Sequence, residues 1–423
     1  MNDLIGKDRK NIWHPFTPLN GAPEPILIKE GKGVYLYADD GREILDAVSS
    51  WWVNIHGHCN ETISKAIFEQ ANKLEHVIFA GFTHEPAIKL SENLLSILPD
   101  NQSRIFFSDD GSTSVEVALK MAIQYWHNQG VKKKKIIAIE GAYHGDTFGA
   151  MSASDRSPFT APFNYFLFDV EFIPFPNGEN EDEVLQIFKD IFKSGEVAAF
   201  IFEPLVQGAG GMRMYSPEIL DKLISVAHEN EALCIADEVM TGFGRTGKKF
   251  ATDHLQNKPD IFCLSKGITG GTLPLGVTTC SSQIETAFQS DDFTKTFFHG
   301  HSYTANPVIC AAANASFDIL MSEVCQDNIK RICARQKQFI EDLKNHPSLS
   351  DSRCTGTIAA IELKSEENSY FSEVRNKIFP YFLEKNILLR PLGNVIYVLP
   401  PYVITDEQLD MIYEAIHRFL DEL

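Results

Sequence analysis

Residues 261–271 read IFCLSKGITGG, an apolar run followed by one lysine and three glycines. The run Ile261–Leu264 predicts a short buried strand, which places Lys266 just beyond the end of that strand. Lysine is seldom fully buried unless it is paired. An amine at this position, beside backbone that carries few side chains, therefore indicates either a buried ion pair or a functional group.

Strand-like and helix-like segments alternate on both sides of this run. Such alternation predicts an α/β fold, in which helices cover both faces of a mostly parallel sheet. Ligands of such sheets bind at the carboxyl ends of the strands. The segments are strand-like RIFFS (104–108), helical SVEVALKMAIQYW (114–126), strand-like IIAIE (136–140) and VAAFIFEP (197–204), helical PEILDKLISVAHEN (217–230), and strand-like ALCIADE (232–238).

The two ends of the chain predict a second, smaller α+β domain. A long helical stretch over roughly 305–345 precedes strand-like TIAAIEL (357–363) and helical VRNKIFPYFLEKN (374–386). ILLRP (387–391) and VIYVLPP (395–401) are typical of a hairpin with its turn at 392–394. GVYLYADDGREILDA (33–47) predicts another hairpin, expected to pack beside this domain. The predicted divisions are an N-terminal segment 1–59, a large cofactor-binding domain 60–312 and a C-terminal small domain 313–423.

Charge and composition exclude several classes of function. The 423-residue chain has a net charge of −19 and lacks extended basic stretches, which argues against binding to nucleic acids or to anionic membranes. Its one lysine run, 132–135, is expected to be a solvated linker. The N-terminus lacks the apolar segment of a secretory signal, and no apolar stretch approaches the ~18 residues that span a bilayer. Eight cysteines without a CxxC motif favour a reduced cytoplasm.

Asp237 gives Lys266 a possible partner. It ends the strand-like ALCIAD, 29 residues before Lys266, and that separation is about one βαβ unit. If the two strands are parallel neighbours, both side chains reach the same edge of the sheet. The alternative is a structural Asp–Lys ion pair, which would contribute little net stability after desolvation.

A candidate anion site lies in SDDGSTSVEVALKMAIQYW (108–126). Gly111 and Ser112 follow a predicted strand and open a long helix, and Thr113 and Glu116 have the spacing of a capping box. The free N–H groups at such a helix start suit a phosphate. The chain has no GxxxxGK[ST] motif, so a nucleotide-binding P-loop is excluded.

Two further strand ends add an aromatic ring and a carboxylate. Tyr143 lies in GAYHGDTFGAMS (141–152), where its ring could stack on a flat ligand or simply cover the core. Glu203 ends a strand in IFEPLVQGAGG (201–211). A phosphate site, a ring, a carboxylate and a strand-end lysine together suit pyridoxal phosphate. Lys266 would form the Schiff base, and Asp237 would keep the pyridine nitrogen protonated.

The sequence resembles the class III aminotransferases of the fold type I pyridoxal-phosphate enzymes over nearly its whole length. ADEVMTGFGRTG (236–247) and PDIFCLSKGITGG (259–271) are similar to the signature of that family. The most similar branch is the one that converts 8-amino-7-oxononanoate to 7,8-diaminononanoate in biotin synthesis, usually with S-adenosyl-L-methionine as amino donor. The stretches that indicate this branch are IWHPFTPL (12–19), SSWWVNIHGHCN (49–60), EPLVQGAGGMRMY (203–215), FFHGHSYTANP (297–307) and LLRPLGNVIYVLPPY (388–402).

The resemblance implies a role for particular residues and implies a homodimer with a shared active site. The phosphate-binding hydroxyl of the family, matched here by Ser302, comes from the neighbouring subunit. An apolar wall and a carboxylate-binding arginine suit a long amino-oxo fatty acid. The implied catalytic residues are Lys266, Asp237 and Tyr143; the implied cofactor-binding residues are these three with Gly111, Ser112, His301 and Ser302; the implied substrate-binding residues are Phe16, Trp51, Trp52, Tyr143, Gly300 and Arg390.

The sequence departs from the family pattern at two places. Phe16 stands where many members have a tyrosine that touches the substrate, so lysine is an alternative amino donor. His301-Ser302 replaces a common proline-threonine pair, and the serine retains the hydroxyl. No metal is expected at the H-x-H pairs 56/58 and 299/301, since neither has an evident third ligand. The role of Arg245 stays open between orienting the substrate and binding backbone carbonyls with a neighbouring carboxylate.

Other activities on the same fold are also possible. An ω-amino acid or ornithine aminotransferase of class III would use 2-oxoglutarate as amino acceptor. A mutase or racemase would show no net transfer to an acceptor. A non-catalytic protein that binds pyridoxal phosphate is disfavoured, because Lys266 and Asp237 are both present.

Overall fold

The computed structural model describes residues 3–364 and 375–423. Its helical segments are α1 (Leu4–Asn11), the short turn α2 (Ser49–Trp52), α3 (Glu61–Lys73), α4 (Glu85–Ile97), α5 (Gly111–Asn128), α6 (Phe148–Ala153), α7 (Glu181–Phe192), α8 (Pro217–Glu229), α9 (Ser282–Phe288), α10 (Pro307–Leu320), α11 (Glu323–Leu343), α12 (Arg375–Glu384) and α13 (Asp406–Asp421). Short 3₁₀ turns cover Ala161–Phe166, Ala251–His254, Lys266–Thr269 and Phe293–Lys295.

The strands of the described residues form four sheets. They are β1 (Ile28–Lys32), β2 (Tyr35–Ala38), β3 (Glu43–Asp46), β4 (Gln102–Ser108), β5 (Lys135–Ile139), β6 (Glu171–Ile173), β7 (Val197–Phe202), β8 (Val206–Gln207), β9 (Arg213–Met214), β10 (Leu233–Asp237), β11 (Ile261–Leu264), β12 (Gly276–Ser281), β13 (Leu349–Thr355), β14 (Ile358–Leu363), β15 (Ile387–Leu388) and β16 (Val395–Val398).

A seven-stranded sheet with the order β4-β12-β11-β10-β7-β5-β6 forms the centre of the molecule. Within it β12 runs antiparallel to both of its neighbours, and the other pairings are parallel. Successive residues of β10 enter different core clusters, Cys234 and Ala236 on one face and Ile235 on the other. Helices cover both faces, because α8 packs into the first cluster and α5 into the second. The predicted α/β class with a mostly parallel sheet is therefore confirmed.

The chain ends share a sheet, as the sequence predicted in outline. The four-stranded sheet β1-β2-β3-β15 joins the N-terminal hairpin to a C-terminal strand through the parallel pair Ile387↔Leu45. The predicted hairpin over 33–47 is confirmed by the antiparallel pairing of β2 with β3. Of the predicted hairpin of 387–391 with 395–401, the turn is confirmed by the antiparallel bridge Leu392↔Val395. The strand pairing is wrong, because β15 pairs with β3 while β16 pairs with β14. The domain boundaries at residues 59 and 312 stay predictions.

The predicted long helix over 305–345 consists of two helices, α10 and α11. Ser322 caps α11 by accepting a hydrogen bond from the backbone N–H of Cys325, which starts a new helix in a new direction. Among the described residues no single helix is long and apolar enough to cross a membrane; only α10 and α11 together, bent by 67°, meet the length and composition of a span. The start predicted for α12, residue 374, lies outside the described residues.

Candidate active site

Four strand ends of the central sheet converge on one cavity of about 450 Å³. β10 and β11 are parallel neighbours with Asp237 opposite Cys263, so Asp237 and Lys266 emerge at the same edge of the sheet. Glu203 follows β7, and Tyr143 follows β5. All four side chains line the cavity. A concave site of this size at the carboxyl ends of parallel strands suits a small cofactor together with part of a substrate.

Lys266 has the backbone and the environment of a functional amine. Its φ of +46° lies in the left-handed region that residues with a Cβ seldom adopt. Burial lowers the pKa of Lys266, and the nearby carboxylates of Asp237 and Glu203 oppose that shift. Its Nζ lies 5.0 Å from the centre of the Trp52 ring. Among the ion pairs of the described residues Lys266 has no partner within 4.0 Å, so the structural Asp–Lys ion pair is excluded for this structure.

Asp237 is paired instead with His144, a residue that no sequence pattern indicated as part of the site. The Asp237 Oδ2 lies 2.7 Å from His144 Nδ1, and its Oδ1 accepts a hydrogen bond from the backbone N–H of Val239. Both side chains are buried. The Nε2 atom of His144 is buried and has no hydrogen-bond partner among the described residues. The only signal in the sequence was the position of His144, directly after Tyr143.

Glu203 links two walls of the cavity. Its Oε1 accepts from the N–H of Tyr143 at 3.0 Å, and its Oε2 accepts from the N–H of Gly208 at 2.8 Å. Burial raises the pKa of Glu203 to about 7, and the Asp237 carboxylate adds to that increase. Burial also raises the pKa of Tyr143, and Asp146 contributes in the same direction.

The start of α5 forms the opposite side of the cavity. Gly111 and Ser112 both line it, and a Cβ at Gly111 would lie 2.7 Å from Val239 Cγ1, so the close packing requires glycine. The predicted capping box of Thr113 with Glu116 is wrong, because Asp110 is the N-cap and forms the box with Thr113. In a capping box the residue just before the helix accepts a hydrogen bond from the N–H of the third helical residue. In α5 these residues are Asp110 and Thr113.

Glu116 has a different function from the predicted cap. Its carboxylate accepts hydrogen bonds from the backbone N–H groups of Gly149 and Ala150, so it caps α6 rather than α5. A Cβ at Gly149 would lie 2.2 Å from Glu116 Oε2, which makes that approach possible only for glycine. At the start of α5, Asp110 caps the N–H of Thr113, while the two preceding residues, Gly111 and Ser112, line the cavity.

The residues present fit pyridoxal phosphate. The cavity offers a helix start for the phosphate, an aromatic side chain, a buried carboxylate held by a histidine, and an amine that forms no ion pair within the described part of the chain. Lys266, Asp237, Tyr143, Gly111, Ser112 and Trp52 are the predicted site residues that the structure brings together at this cavity.

Three of the remaining predicted substrate residues, Phe16, Trp51 and Arg390, form a second group outside that lining. The ring centres of Phe16 and Trp51 are 5.6 Å apart, and the Arg390 guanidinium lies 5.4 Å from the centre of the Trp51 ring. Trp51 adjoins the cavity-lining Trp52 in the chain. Phe159, which no sequence pattern indicated, packs against Phe16 with ring centres 6.2 Å apart.

Residues 300–302 are not among those that line the cavity of this chain. The His301 Nδ1 lies 3.4 Å from Asp109 Oδ1 and accepts from the backbone N–H of Tyr303. Of the other histidine pair, His56 bonds to Ser316 and His58 to Asp46. The expectation that these pairs hold no metal stays a prediction.

Arg245 is fully buried and donates to two backbone carbonyls, those of Pro400 at 3.0 Å and Trp52 at 3.1 Å. Its guanidinium lies 5.2 Å from the centre of the Tyr402 ring. Among its described contacts Arg245 forms no ion pair within 4.0 Å. The sequence left two roles open for Arg245, orienting the substrate or binding backbone carbonyls together with a neighbouring carboxylate. The structure agrees with the binding of backbone carbonyls, but no carboxylate of the described residues pairs with Arg245.

This fold, with its strand-end lysine and its buried Asp–His pair, defines an enzyme of the pyridoxal-phosphate type. The model of the family "Aminotransferase class-III" matches residues 17–420. The chain therefore belongs to the class-III aminotransferases, and it is a pyridoxal-phosphate-dependent aminotransferase.

Individual relatives show which members of this family the chain is similar to. The chain is 48% identical to the adenosylmethionine-8-amino-7-oxononanoate aminotransferase of Synechococcus elongatus, over 98% of this chain and 99% of that protein. It is 36% identical to the enzyme of the same name from Staphylococcus aureus, over 99% of this chain and 98% of that protein. The crystal structure of the enzyme of that name from Methanocaldococcus jannaschii matches with a TM-score of 0.92 at 35% identity, covering 98% of each chain.

Proposed function

We propose that this enzyme transfers an amino group to 8-amino-7-oxononanoate and so forms 7,8-diaminononanoate in biotin biosynthesis, with S-adenosyl-L-methionine as amino donor. The observation that carries the proposal is the full-length likeness, at 48% identity, to an enzyme named for this reaction. In the net reaction the donor amine replaces the 7-oxo group of the acceptor, and the donor leaves as its 2-oxo acid.

The residues around the cavity support the way in which the cofactor would be held. Gly111 and Ser112 would bind its phosphate at the start of α5, Tyr143 would cover its ring, and Asp237 would pair with its ring nitrogen. Lys266 would bind its aldehyde. Once bound, pyridoxal phosphate supplies an electron sink for the carbon that carries the amine.

Lys266 is proposed to move the proton at that carbon. A lysine with an ordinary pKa would stay protonated at neutral pH, but burial lowers the pKa of Lys266 and so increases its basic fraction. The aromatic ring of Trp52 beside Nζ excludes water from one side of the amine. His144 holds the Asp237 carboxylate in place, so that this charge stays fixed while Lys266 gives and takes its proton.

The outer group of residues suits the acceptor. Phe16, Trp51 and Trp52 offer an apolar surface for a hydrocarbon chain, and Arg390 is placed over Trp51, where it could bind a terminal carboxylate. Gly300 is proposed to contact the substrate as well. Because Phe16 lacks the hydroxyl of a tyrosine, lysine stays an alternative to S-adenosyl-L-methionine as donor.

A homodimer with shared sites belongs to the proposal. His301 and Ser302 lie outside the cavity lining of their own chain, which supports a role in the site of a second copy. The side chains of Phe298 and Tyr303 beside them are exposed in the single chain. A cytoplasmic location is proposed because all eight cysteines are free.

Two substitutions test the covalent role and the shared site. Lys266→Ala should abolish turnover and the mass increase of the protein after borohydride reduction, while the exposed Lys248→Ala should retain both. Retained turnover in Lys266→Ala would contradict the assignment. Hybrid dimers of Lys266→Ala with Ser302→Ala should regain one intact site each. Equal activity of the hybrids and the unmixed variants would show that Ser302 acts within its own chain.

The donor is identified by single half-reactions. The enzyme is mixed with S-adenosyl-L-methionine, lysine or glutamate, and the visible absorption of the cofactor reports which amine reacts. Rapid change with S-adenosyl-L-methionine supports the proposal, and change with lysine alone supports the alternative donor. Reaction with glutamate, together with use of 2-oxoglutarate as acceptor, would instead indicate an ω-amino acid or ornithine type.

A further inference from the structure

The short turn α2 carries the two tryptophans in an unfavourable backbone conformation. Ser49, Ser50 and Trp52 have φ angles of +52°, +58° and +67°, although none of them is glycine. Residues with a Cβ occupy this region only where the surrounding structure fixes them. Something outside the turn must therefore hold it.

Asp46, at the end of β3, supplies most of this restraint from one side. Its side chain is fully buried, and its Oδ1 accepts from the N–H groups of Val48 at 3.2 Å and Ser50 at 2.9 Å. Its Oδ2 accepts from the Ser50 hydroxyl at 3.0 Å and lies 2.9 Å from His58 Nε2. Three of these four contacts go into the turn or the residue before it, and the Ser49 hydroxyl adds a hydrogen bond to the Leu399 carbonyl.

The turn transmits this position to the active site. The Trp52 carbonyl accepts from Arg245, and the Trp52 indole N–H donates to the Tyr397 hydroxyl at 2.9 Å. The Trp52 ring lies beside Lys266 Nζ, and the Trp51 ring lies beneath Arg390. Asp46 itself is not among the residues that line the cavity.

We propose that Asp46 is a positioning residue, which acts through the strained turn to hold Trp51 and Trp52 as the wall against which the acceptor chain binds. This deepens the proposed function and rests on it for the identity of the acceptor. Asp46 acts at a distance from the reacting atoms. Its main effect is therefore on the binding of the acceptor, and its effect on the chemical step, through Trp52 beside Lys266, is smaller.

Asp46→Asn tests the proposal, because an amide replaces one accepting oxygen with a donor of the same size. We expect KM for 8-amino-7-oxononanoate to rise about tenfold while kcat changes less than about threefold, the pattern for lost binding. Acrylamide quenching of tryptophan fluorescence should increase, since Trp52, now 5% exposed, would be released. The matched control Asp39→Asn, on the same hairpin but exposed and paired with Lys29, should match the wild type.

An unchanged KM and unchanged quenching in Asp46→Asn would overturn the proposal. Equal loss of kcat and cofactor absorption would also overturn it, since Asp46 would then support the whole fold. If Asp46→Asn fails to fold, Ser50→Ala replaces it as the test, because it removes only the hydroxyl contact to Asp46. Ser50→Ala should raise KM for the acceptor about threefold, and an unchanged KM would contradict the proposal. Should the wild type not use 8-amino-7-oxononanoate, the proposed function fails, while the quenching experiment still decides the role of Asp46.

Discussion

Glu203→Gln is expected to change how the stability of this protein depends on pH. Glu203 is buried, and burial raises its pKa from 4.5 to about 7. Between these values the folded protein holds a proton that the unfolded chain has released. Its contribution to the free energy of unfolding is therefore fully present below about pH 4.5 and is lost as the pH rises through about 7.

The size of the effect follows from the two pKa values. Between pH 5 and pH 8 the wild type should lose about 2–3 kcal/mol of unfolding free energy through this one group. For a chain of this length that corresponds to about 3 °C in Tm. Glutamine cannot ionise, so the variant should lose this component of the pH dependence, although one of the N–H groups of Tyr143 and Gly208 would then face an amide donor.

The assay is the Tm of the cofactor-free protein at pH 5 and pH 8, followed by circular dichroism. Glu238→Gln is the matched control, since burial raises the pKa of Glu238 to about 7 as well, but its carboxylate bonds to Thr241 and Thr252 outside the cavity lining. Both variants should flatten the pH dependence, and only Glu203→Gln should alter the visible absorption of the bound cofactor. A Glu203→Gln variant with the full wild-type difference in Tm would refute the assignment.

Three further changes have defined outcomes. Gly271→Ala should abolish cofactor binding, measured by the visible absorption of the cofactor, because the φ of Gly271 is +81° and a Cβ there would lie 2.6 Å from the Val53 carbonyl carbon. The control is Gly130→Ala, where φ is +71° but the space is open, and this variant should lose only about 1 kcal/mol of unfolding free energy. Arg390→Met should raise KM for the acceptor about 10- to 100-fold in steady-state assays, because a charge-assisted hydrogen bond to the acceptor carboxylate is lost. An equal rise in KM with the methyl ester of the acceptor would show that Arg390 does not bind the carboxylate. His144→Ala should lower kcat about tenfold, since Asp237 loses one of its two hydrogen bonds, and a wild-type kcat would show that Val239 suffices.

The sequence predicted the strand-end residues well because two simple rules determine where they lie. Fully buried parallel strands appear as continuous apolar runs, and one βαβ unit has a characteristic length. Asp237 and Lys266 therefore had to meet at one edge of the sheet, and the pairing of β10 with β11 confirms it. Their chemical roles go beyond this geometry and stay proposals.

Pairing between distant strands could not be predicted in the same way. ILLRP and VIYVLPP have the composition of a hairpin, but composition does not specify the partner of a strand. β15 instead pairs with β3 near the other end of the chain, and this brings Arg390 close to Trp51. The resemblance to a known family named these two residues as substrate contacts, whereas local patterns alone would have left them unrelated.

Backbone strain is the feature of this site that sequence patterns indicate least. Trp52 and Lys266 both have positive φ, and their side chains lie against each other. Local propensity argues against both conformations, since each residue carries a Cβ. They persist because distant segments hold them: Asp46 and Leu399 bind the turn before Trp52, and Arg245 binds its carbonyl. The geometry around the reactive amine is thus a property of tertiary contacts, so changes at Asp46 or Arg245 should affect the site although neither side chain lines it.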